Sequence, residues 1–535
     1  MIRPYHMIVR VVAALLVCSV VAACSTLPPG HDYPRVESRA LADTVQTRLG
    51  SQLESATLEH GGDSGFRLLS LGVDAYLTRM QMIDAAERTL DLQYSIFRGD
   101  DTGRLLTEAA LHAADRGVRV RILLDDGERV GGDEQIAPLA AHRAIEIRFY
   151  NPFAYRGHLK VLKGTEYLLN RSRLNYRMHN KLMVADNAVA LIGGRNIGDQ
   201  YFQIDSEEQY ADTEVFAVGP IVRQLSASFD EFWNHPLSIP NEALAAGRSS
   251  RSALSEHRES TVADPAEVSA DGVELASRVD SGEPFAGMLS GRLPLVWAPA
   301  QMISDSPDKK SVKDGSRVGR LMLRPVATAA RAVQSELLMI TPYLIPGDEG
   351  MRLFSNLRSR NVRVRILTNS LISSAIPLAH SGYMGYRVPL LEDGVELYEI
   401  RALLGNTRGS GQSAAMSRHG TYSLHVKMFV FDRQSIFVGS MNFDQRSMHL
   451  NTEIGLLIDS PELAEELARR FAAMAQPANA YEVLLQANRS GKGRHLIWRT
   501  LEEEELVDLQ SEPARSLWQK FQAGLLSLLP LDSEL

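Results

Sequence analysis

The sequence predicts an α/β fold built from two homologous lobes, and three observations support this. The chain has 535 residues, which exceeds the size at which single hydrophobic cores stop growing. A strand–helix–strand pattern occurs twice, and a motif containing histidine, lysine, aspartate and asparagine also occurs twice. The formal net charge of −8 argues against a protein that binds nucleic acid along a basic surface.

The first strand–helix–strand unit begins with an apolar run over residues 90–96. A helical stretch follows over residues 104–116, for which Asp101 or Thr102 is the expected N-cap. A β-branched run over residues 118–124 then leads into two aspartates. The order and lengths of these segments indicate a βαβ unit with parallel strands.

The second half of the chain repeats this unit. A strand is predicted over residues 337–344, a helix over residues 351–360, and a second strand over residues 362–367. Two βαβ units, each with a right-handed crossover, predict two separate parallel sheet cores.

The duplicated motif follows each unit, and each of its residues lies 246 positions from its counterpart. Each copy is followed by a glycine-containing segment that ends in the asparagine. The shared residues are His179, Lys181, Asp186 and Asn196 in the first half, and His425, Lys427, Asp432 and Asn442 in the second.

The spacing within the motif predicts a small site for phosphate. Histidine and lysine two positions apart lie on one face of a strand, and a hairpin would return the glycines and the asparagine beside them. An imidazole, an ammonium group and an amide donor would then converge. Asp186 and Asp432 fall at the turn, and we expect them to fix that turn through hydrogen bonds to the main chain.

The two HxKxxxxDxxxxxxG[GS]xN segments resemble the paired signatures of the phospholipase D superfamily. The resemblance implies two α/β/α lobes packed as a pseudo-dimer with the active site between them. Further similarity to bacterial cardiolipin synthase-like lipoproteins lies in residues 193–199, 201–202, 229–234, 341–343, 367–370, 444–447 and 451–453. One departure is Gly194, where many members have serine, as this chain has at Ser440.

The resemblance also implies a mechanism without metal or cofactor. His179 would attack phosphorus to form a phosphohistidine and His425 would act as acid and base, although the reverse order stays open. The motif lysines and asparagines would hold the non-bridging oxygens. Family members pair each histidine with an acid of the opposite lobe, which predicts His179–Glu453 and His425–Glu214. Asp212 is the alternative to Glu214, and either glutamate could instead be a surface residue.

The N-terminus has the pattern of a bacterial lipoprotein signal. Two arginines precede an apolar run over residues 11–23, which is too short to span a bilayer. The run ends in Val-Ala-Ala before Cys24, which resembles a lipobox. We expect cleavage before Cys24, lipidation of that cysteine, and anchoring in the cell envelope facing the periplasm. The alternative is a plain secretory signal with an incidental cysteine.

The sequence suggests six segments. They are a signal peptide (1–23), a tether and lead-in (24–65), a first lobe (66–239), a helical or flexible excursion (240–292), a second lobe (293–480) and a C-terminal extension (481–535). The extension contains an amphipathic pattern that either lies at a membrane interface or packs onto the protein's own core. Its residues are Leu517, Trp518, Phe521, Leu525, Leu526 and Leu529, with Pro530 as the stop.

These observations favour a phosphatidyltransferase that acts on phospholipids, with a membrane bound through the lipid anchor and no nucleic acid partner. Hydrolysis to phosphatidic acid uses the same residues and stays an alternative. An envelope nuclease or phosphodiesterase, or an inactive scaffold, is less consistent with the acidic composition and the two complete motifs. The need for a helper protein, the lipid substrates, and inner or outer membrane placement are left open.

Overall fold

The computed structural model describes residues 27–127, 136–157, 159–204, 208–244, 252–263, 283–402, 421–488 and 493–527. The signal peptide, Cys24, Leu529 and Pro530 lie outside these residues, so the interpretations that concern them stay predictions.

The first lobe is organised around a sheet of nine strands within the described residues, in the order β10-β1-β8-β6-β5-β2-β3-β4-β9. Strands β2, β3 and β4 are parallel, and the others pair antiparallel. The strands are β1 (Ser64–Leu69), β2 (Thr89–Tyr94), β3 (Arg119–Asp125), β4 (Ile145–Tyr150), β5 (Leu182–Ala185), β6 (Val189–Gly193), β8 (Glu214–Val218), β9 (Ser238–Pro240) and β10 (Val296–Ala298).

The second lobe repeats this arrangement in a sheet of ten strands within the described residues, in the order β11-β18-β17-β16-β12-β13-β14-β19-β20-β21. Its parallel strands are β12, β13 and β14. The strands are β11 (Ala300–Ser304), β12 (Glu336–Ile340), β13 (Arg363–Asn369), β14 (Glu396–Ile400), β16 (Met428–Phe431), β17 (Ser435–Gly439), β18 (Ile454–Ile458), β19 (Ala480–Ala487), β20 (Arg494–Glu502) and β21 (Glu505–Leu509). A third sheet pairs β7 (Glu208–Ala211) of the first lobe with β15 (Thr421–Leu424) of the second.

Helices flank both sheets. Those of the first half are α1 (Arg48–Glu59), α2 (Gly72–Ala85), α3 (Asp101–Asp115), α4 (Ala137–Ala141), α5 (Lys160–Leu169), α6 (Arg171–Leu174), α7 (Pro220–Trp233), α8 (Asn241–Leu244), α9 (Ser252–Ala263) and α10 (Phe285–Leu289). Those of the second half are α11 (Lys309–Lys313), α12 (Leu323–Ala332), α13 (Gly347–Ser359), α14 (Pro377–Met384), α15 (Arg387–Glu392), α16 (Gln445–His449), α17 (Pro461–Met474) and α18 (Leu517–Leu526).

The two predicted βαβ units are present as β2–α3–β3 and β12–α13–β13. Both helices begin earlier than predicted. The N-cap of α3 is Asp100, whose side chain accepts a hydrogen bond from the main-chain N–H of Gly103, so neither Asp101 nor Thr102 is the cap. Acidic residues that precede the predicted helices therefore belong to the cap or the first turn of the observed ones, where the positive end of the helix dipole stabilises a carboxylate. They are Asp100 and Asp101 in α3, and Asp348 and Glu349 in α13.

One hydrophobic core joins the two lobes. It combines side chains from the first sheet, such as Val184 and Ile192, with side chains from the second, such as Ile340 and Val430, and includes residues of α7 and α17. Two further cores fill the outer faces of the two sheets. The duplicated α/β/α lobes thus pack as a pseudo-dimer through buried apolar surface, which is the largest favourable contribution to such an association.

The sheets set different lobe boundaries from those predicted. Residues 296–298 form β10, which pairs with β1 and belongs to the first sheet, although the sequence placed them in the second lobe. Strands β19, β20 and β21 continue the second sheet, so most of the predicted C-terminal extension is part of that lobe. The excursion over residues 240–292 is helical at α8, α9 and α10.

The apolar face of α18 lies in solvent. Leu517, Trp518, Phe521 and Leu525 are exposed, and only Ala523 is fully buried. Packing of this face onto the protein's own core, one of the two predicted alternatives, is therefore not what the structure has. Among the described helices none combines the length and the apolar character needed to cross a bilayer.

The two motif aspartates bind main-chain N–H groups, but not those of their own turns. Asp186 accepts hydrogen bonds from the N–H groups of Glu87, Arg88 and Thr89, just before β2. Asp432 accepts from residues 334, 335 and 336, just before β12. Each carboxylate thus fixes the main chain just before the neighbouring parallel strand. The prediction that it fixes its own turn was wrong.

Candidate active site

The two motif histidines meet where the lobes pair through their main chains. The N–H of His425 donates to the carbonyl of Ala211 at 2.7 Å, at the end of the β7–β15 ladder. The N–H of His179 donates to the carbonyl of Thr452 at 2.9 Å. Each histidine therefore lies in an extended segment that is paired with the opposite lobe, and His179 precedes β5 rather than lying within it.

Both imidazoles line one cavity of about 640 Å³ between the lobes. The His179 side chain is 18% exposed and that of His425 is 12% exposed, so each reaches the cavity from a largely buried position. The cavity also takes in the motif asparagines, Asn196 and Asn442. Residues separated by half of the chain thus form one site, as the duplicated motif predicts.

His179 is paired with a carboxylate of the second lobe. Its Nδ1 lies 2.9 Å from Oε2 of Glu453 and 3.1 Å from Oε1. The hydroxyl of Ser440 donates to the same Oε2 atom, 2.5 Å away. Because Glu453 is completely buried, its position is determined by these partners, and the carboxylate in turn orients the imidazole.

His425 is paired with Asp212 of the first lobe, and the predicted pairing with Glu214 is wrong. Nδ1 of His425 lies 2.7 Å from Oδ2 of Asp212. Glu214 instead accepts hydrogen bonds from Arg79 and lies 3.4 Å from Arg195, in a charge cluster buried within its own lobe. Its carboxylate therefore neutralises two buried guanidinium groups and is not at the site.

Strand register explains why Asp212, and not Glu214, is the partner of His425. Gly193 on β6 pairs with Glu214, whereas the equivalent Gly439 on β17 pairs with Gly455. Glu214 therefore corresponds to Gly455, and Asp212 corresponds to Glu453. The similarity of the Asp-Thr-Glu and Asn-Thr-Glu segments pointed to the wrong residue because it is offset by two positions from the structural equivalence.

The departure at Gly194 has a steric cause. A side chain at this position would place its Cβ 2.5 Å from a carboxylate oxygen of Asp212, closer than real Cβ contacts allow. In the second lobe the longer Glu453 accepts a bond from Ser440 at the equivalent position. The pairs Gly194–Asp212 and Ser440–Glu453 are thus two solutions to the same packing problem.

The two motif lysines lie behind the histidines and do not line the cavity. Nζ of Lys181 donates to the carbonyl of His179 at 2.7 Å. Nζ of Lys427 donates to the carbonyl of His425 and lies 3.0 Å from its Nδ1. Both lysines are 1% exposed. They therefore lie beneath the residues that line the cavity, whereas we had expected them to contact the substrate directly.

The two motif asparagines differ in their partners. Oδ1 of Asn196 accepts from the N–H of Ile96, and its Nδ2 donates to the hydroxyl of Tyr201. In contrast, Oδ1 of Asn442 is buried and accepts no hydrogen bond from the described residues. Asn196 is therefore fixed by its own lobe, whereas Asn442 keeps polar capacity at the cavity.

Burial dominates the electrostatics of the site. Desolvation, followed by the charges of Lys181 and Lys427, lowers the pKa of His179 well below its usual value, and the pKa of His425 is lowered by the same causes. Burial also lowers the pKa of Lys181 to about 7 and of Lys427 to about 8. It raises the pKa of Glu453 to about 7 and raises that of Asp212. In the free protein both imidazoles are therefore neutral at neutral pH.

Several residues of the cavity were not predicted. The ring of Tyr210 stacks on His425 with centroids 5.6 Å apart, and Tyr201 contacts it edge-on at 5.1 Å. Arg98, Arg177 and Arg446 also line the cavity. Tyr201 and Arg446 belong to segments quoted for the family resemblance, which could have identified them, whereas Tyr210 lies outside any motif.

The sequence was compared with known families and proteins. A family model described as "Cardiolipin synthase, PLD-like domain" matches residues 80–233 and 327–475. The chain is 34% identical to cardiolipin synthase C of Escherichia coli (strain K12), over 91% of this chain and 99% of that protein. It is 23% identical to major cardiolipin synthase ClsA of Bacillus subtilis (strain 168), over 76% of this chain and 68% of that protein. A solved structure of phosphatidylserine synthase from Haemophilus influenzae Rd KW20 aligns with a TM-score of 0.49 and 13% identity, over 79% of this chain and 90% of that one.

Removal of the Lys181 charge should raise the pKa of His179. Lys181→Met keeps a side chain of similar length but deletes the charge that, after burial, most disfavours the imidazolium form, so the pKa should move back toward the ordinary value of about 6.5. NMR titration of isotope-labelled histidine measures this directly. Lys310→Met, which changes an exposed lysine on α11, is the matched control and should leave the titration unchanged. A pKa that falls, or does not move, in Lys181→Met would contradict the electrostatic description.

Proposed function

The chain belongs to the phospholipase D superfamily, as a cardiolipin synthase-like enzyme, and on this premise we propose that it transfers a phosphatidyl group from one phospholipid to the hydroxyl of another. The observation that carries the proposal is the pair of histidines, each bound to a carboxylate of the opposite lobe, in one cavity. The relative that supports a cardiolipin-forming reaction aligns over nearly its whole length.

The carboxylate contacts suggest which nitrogen reacts. In each pair Nδ1 faces the acid, which leaves Nε2 of the same ring directed away from it. A neutral ring held in this way donates its Nδ1 proton to the carboxylate, so the lone pair resides on Nε2. A depressed pKa keeps that lone pair available at neutral pH, as a nucleophile requires.

The first step would be attack of Nε2 of His179 on phosphorus. The P–N bond forms as the bond to the leaving alcohol oxygen breaks, and His425 gives that oxygen its proton. His425 must be protonated for this purpose, although its pKa is lowered in the free protein. A bound phosphodiester anion would raise the pKa of the nearby imidazoles, so binding of substrate supplies the charged form. The reverse assignment of the two histidines uses the same geometry.

The second step would regenerate the enzyme. His425, now neutral, takes the proton of the acceptor hydroxyl, whose oxygen attacks phosphorus as the P–N bond breaks. Splitting the exchange into two displacements helps because the charge of a phosphodiester repels nucleophiles. The Nδ2 group of Asn442 and the cavity arginines would contact the non-bridging oxygens. The two lysines, which bind the carbonyls of the histidines, would stabilise the anion through their charge without contacting it.

We also propose that the enzyme works at the surface of a cell-envelope membrane. The support is the sequence pattern of residues 1–24, which predicts cleavage of the signal and a lipid on Cys24. A lipid-anchored enzyme that faces the periplasm would meet its phospholipid substrates in the bilayer to which it is attached.

Purified protein and vesicles of phosphatidylglycerol and phosphatidylethanolamine should yield cardiolipin on thin-layer chromatography. His179→Ala should lower the rate by about a thousandfold or more, because it removes the nucleophile of the covalent step. His112→Ala, which changes an exposed histidine on α3, is the matched control and should keep full activity. Phosphatidic acid as the sole product would replace transfer by hydrolysis, and no product from any phospholipid would refute the proposal.

Replacement of the two first-lobe acids should separate catalysis from stability. Asp212→Asn should reduce activity by about a hundredfold, because His425 loses its orienting carboxylate. It should destabilise the fold less than loss of Glu214 does, because the neighbouring Lys427, with a pKa of about 8, can give up its charge. Glu214→Gln should cost about 3–5 kcal/mol of unfolding free energy, because Arg79 is left with an uncompensated buried charge, while folded molecules stay active. Activity assays with parallel urea titrations measure both effects. The opposite pattern would restore Glu214 as the partner of His425.

A further inference from the structure

Many of the exposed large apolar side chains in the described residues lie on two helices, α5 and α18. More than half of those in the described residues lie on α18, on α5 or at its N-cap, and at the N-cap of α14. They are Leu159, Val161, Leu162, Leu168, Leu169, Ile376, Leu517, Trp518, Phe521 and Leu525. Single exposed apolar residues are ordinary in soluble proteins, but a cluster of this kind marks an interaction surface.

Helix α5 of the first lobe is apolar but contributes no buried residue to the fold. Val161 is 79% exposed and Leu168 is 73% exposed. These two residues are seven positions apart, as are Leu162 and Leu169, so the four side chains lie on adjacent lines of one helix face. A helix with such a face gains stability only when another apolar phase covers it.

Helix α18 of the second lobe presents a similar face. Leu517 is 85% exposed and Trp518 is 63% exposed, and the Trp518 ring stacks on that of Phe521 with centroids 5.4 Å apart. A tryptophan at the edge of an apolar face is typical of the boundary between lipid and water.

Helix α5 contributes to the cavity lining, and α18 lies next to elements that do. Tyr167 of α5 and Leu174 of the adjacent α6 line it from the first lobe, and Ile376 and Ala379 of the α14 region line it from the second. Helix α18 packs against α14, and the side chain of Gln519 donates to the carbonyl of Leu371 in the segment before α14. The two apolar helices therefore lie next to the cavity lining, one in each lobe.

Charge on these helices favours an anionic surface. The whole chain carries a net charge of −8, yet α5 has two lysines and one glutamate, and α18 has one lysine and no acid. The glutamate, Glu166, is occupied by the main-chain N–H groups of residues 154 and 155. Lys163 is likewise occupied by the carbonyls of Asp126 and Gly127, so the attraction to anionic lipid headgroups comes mainly from Lys160 and Lys520.

We propose that α5, α18 and Ile376 form one membrane-binding surface that inserts its apolar side chains into the bilayer and holds the cavity mouth against it. The proposal rests on the proposed function, since a phospholipid reaches the histidines directly only if the cavity opens toward lipid. The enzyme would then bind the membrane through a surface contributed by both lobes, in addition to the predicted anchor at Cys24. A second copy of the chain is the competing occupant.

Fluorescence of Trp518 tests the insertion directly in the full-length chain. Of the four tryptophans, Trp233 and Trp498 are buried and Trp297 is stacked on His60, so Trp518 should dominate any response to lipid. Vesicles of phosphatidylethanolamine and phosphatidylglycerol with brominated acyl chains should quench the wild type, and His179→Ala to the same extent. The quenching should be lost in Trp518→Phe. Equal quenching of wild type and Trp518→Phe, or a concentration-dependent change at Trp518 without lipid, would overturn the proposal.

Activity on two forms of substrate gives the second test. Leu162→Glu with Leu169→Glu, and separately Trp518→Glu with Phe521→Glu, should reduce turnover of vesicle phospholipid at least about tenfold, because charges replace inserted side chains. Turnover of monomeric short-chain phosphatidylglycerol should be unchanged, which also shows that the variants fold. Leu58→Glu, an exposed leucine of α1 away from the cavity, is the matched control.

Equal losses on both substrate forms, or undiminished turnover of vesicles, would contradict the membrane surface. Failure of the wild type on both forms would instead refute the proposed function, while the quenching measurement would still decide whether α5 and α18 enter the bilayer.

Discussion

The active site depends on contacts that neither lobe can make alone. The imidazole of His179 needs the carboxylate of Glu453, and that of His425 needs Asp212. Main-chain hydrogen bonds to Thr452 and Ala211 set the two histidines in place, and the apolar core between the sheets holds the lobes at that distance. Loss of the lobe interface would therefore remove both histidine–carboxylate pairs together, even if each sheet stayed folded.

The buried charged groups of the site lie near groups of opposite charge. Two lysines and two acids are buried and the two histidines are largely buried, and each charged form carries a desolvation cost that only a close partner offsets. Burial shifts the pKa values of Lys181 and Glu453 toward 7 from opposite sides, and the charge of each residue limits the pKa shift of the other. Farther out, Glu214 neutralises Arg79 and Arg195. A phosphodiester anion therefore enters a cavity around which these lysine and arginine side chains lie close to carboxylates in the free protein.

Much of this arrangement was predictable because the gene duplication is visible in the sequence. The paired motifs gave the histidines, lysines and asparagines, and the βαβ pattern gave the parallel cores. Two features were not accessible. The choice of Asp212 over Glu214 depends on strand register at Gly193, which residue identity does not reveal. The buried position of the lysines depends on the cross-lobe pairing of the histidine segments, a long-range contact without a local signal.

The central claim is that imidazoles from two lobes act on one phosphorus atom in sequence. Mass spectrometry of protein quenched during turnover tests it most directly. In the wild type a phosphatidyl adduct should be found on His179 and on no other residue, and His179→Ala should form no adduct. An adduct on His425 of the wild type would reverse the two roles. Turnover that continues without any phosphohistidine, or survives loss of both histidines, would contradict the account.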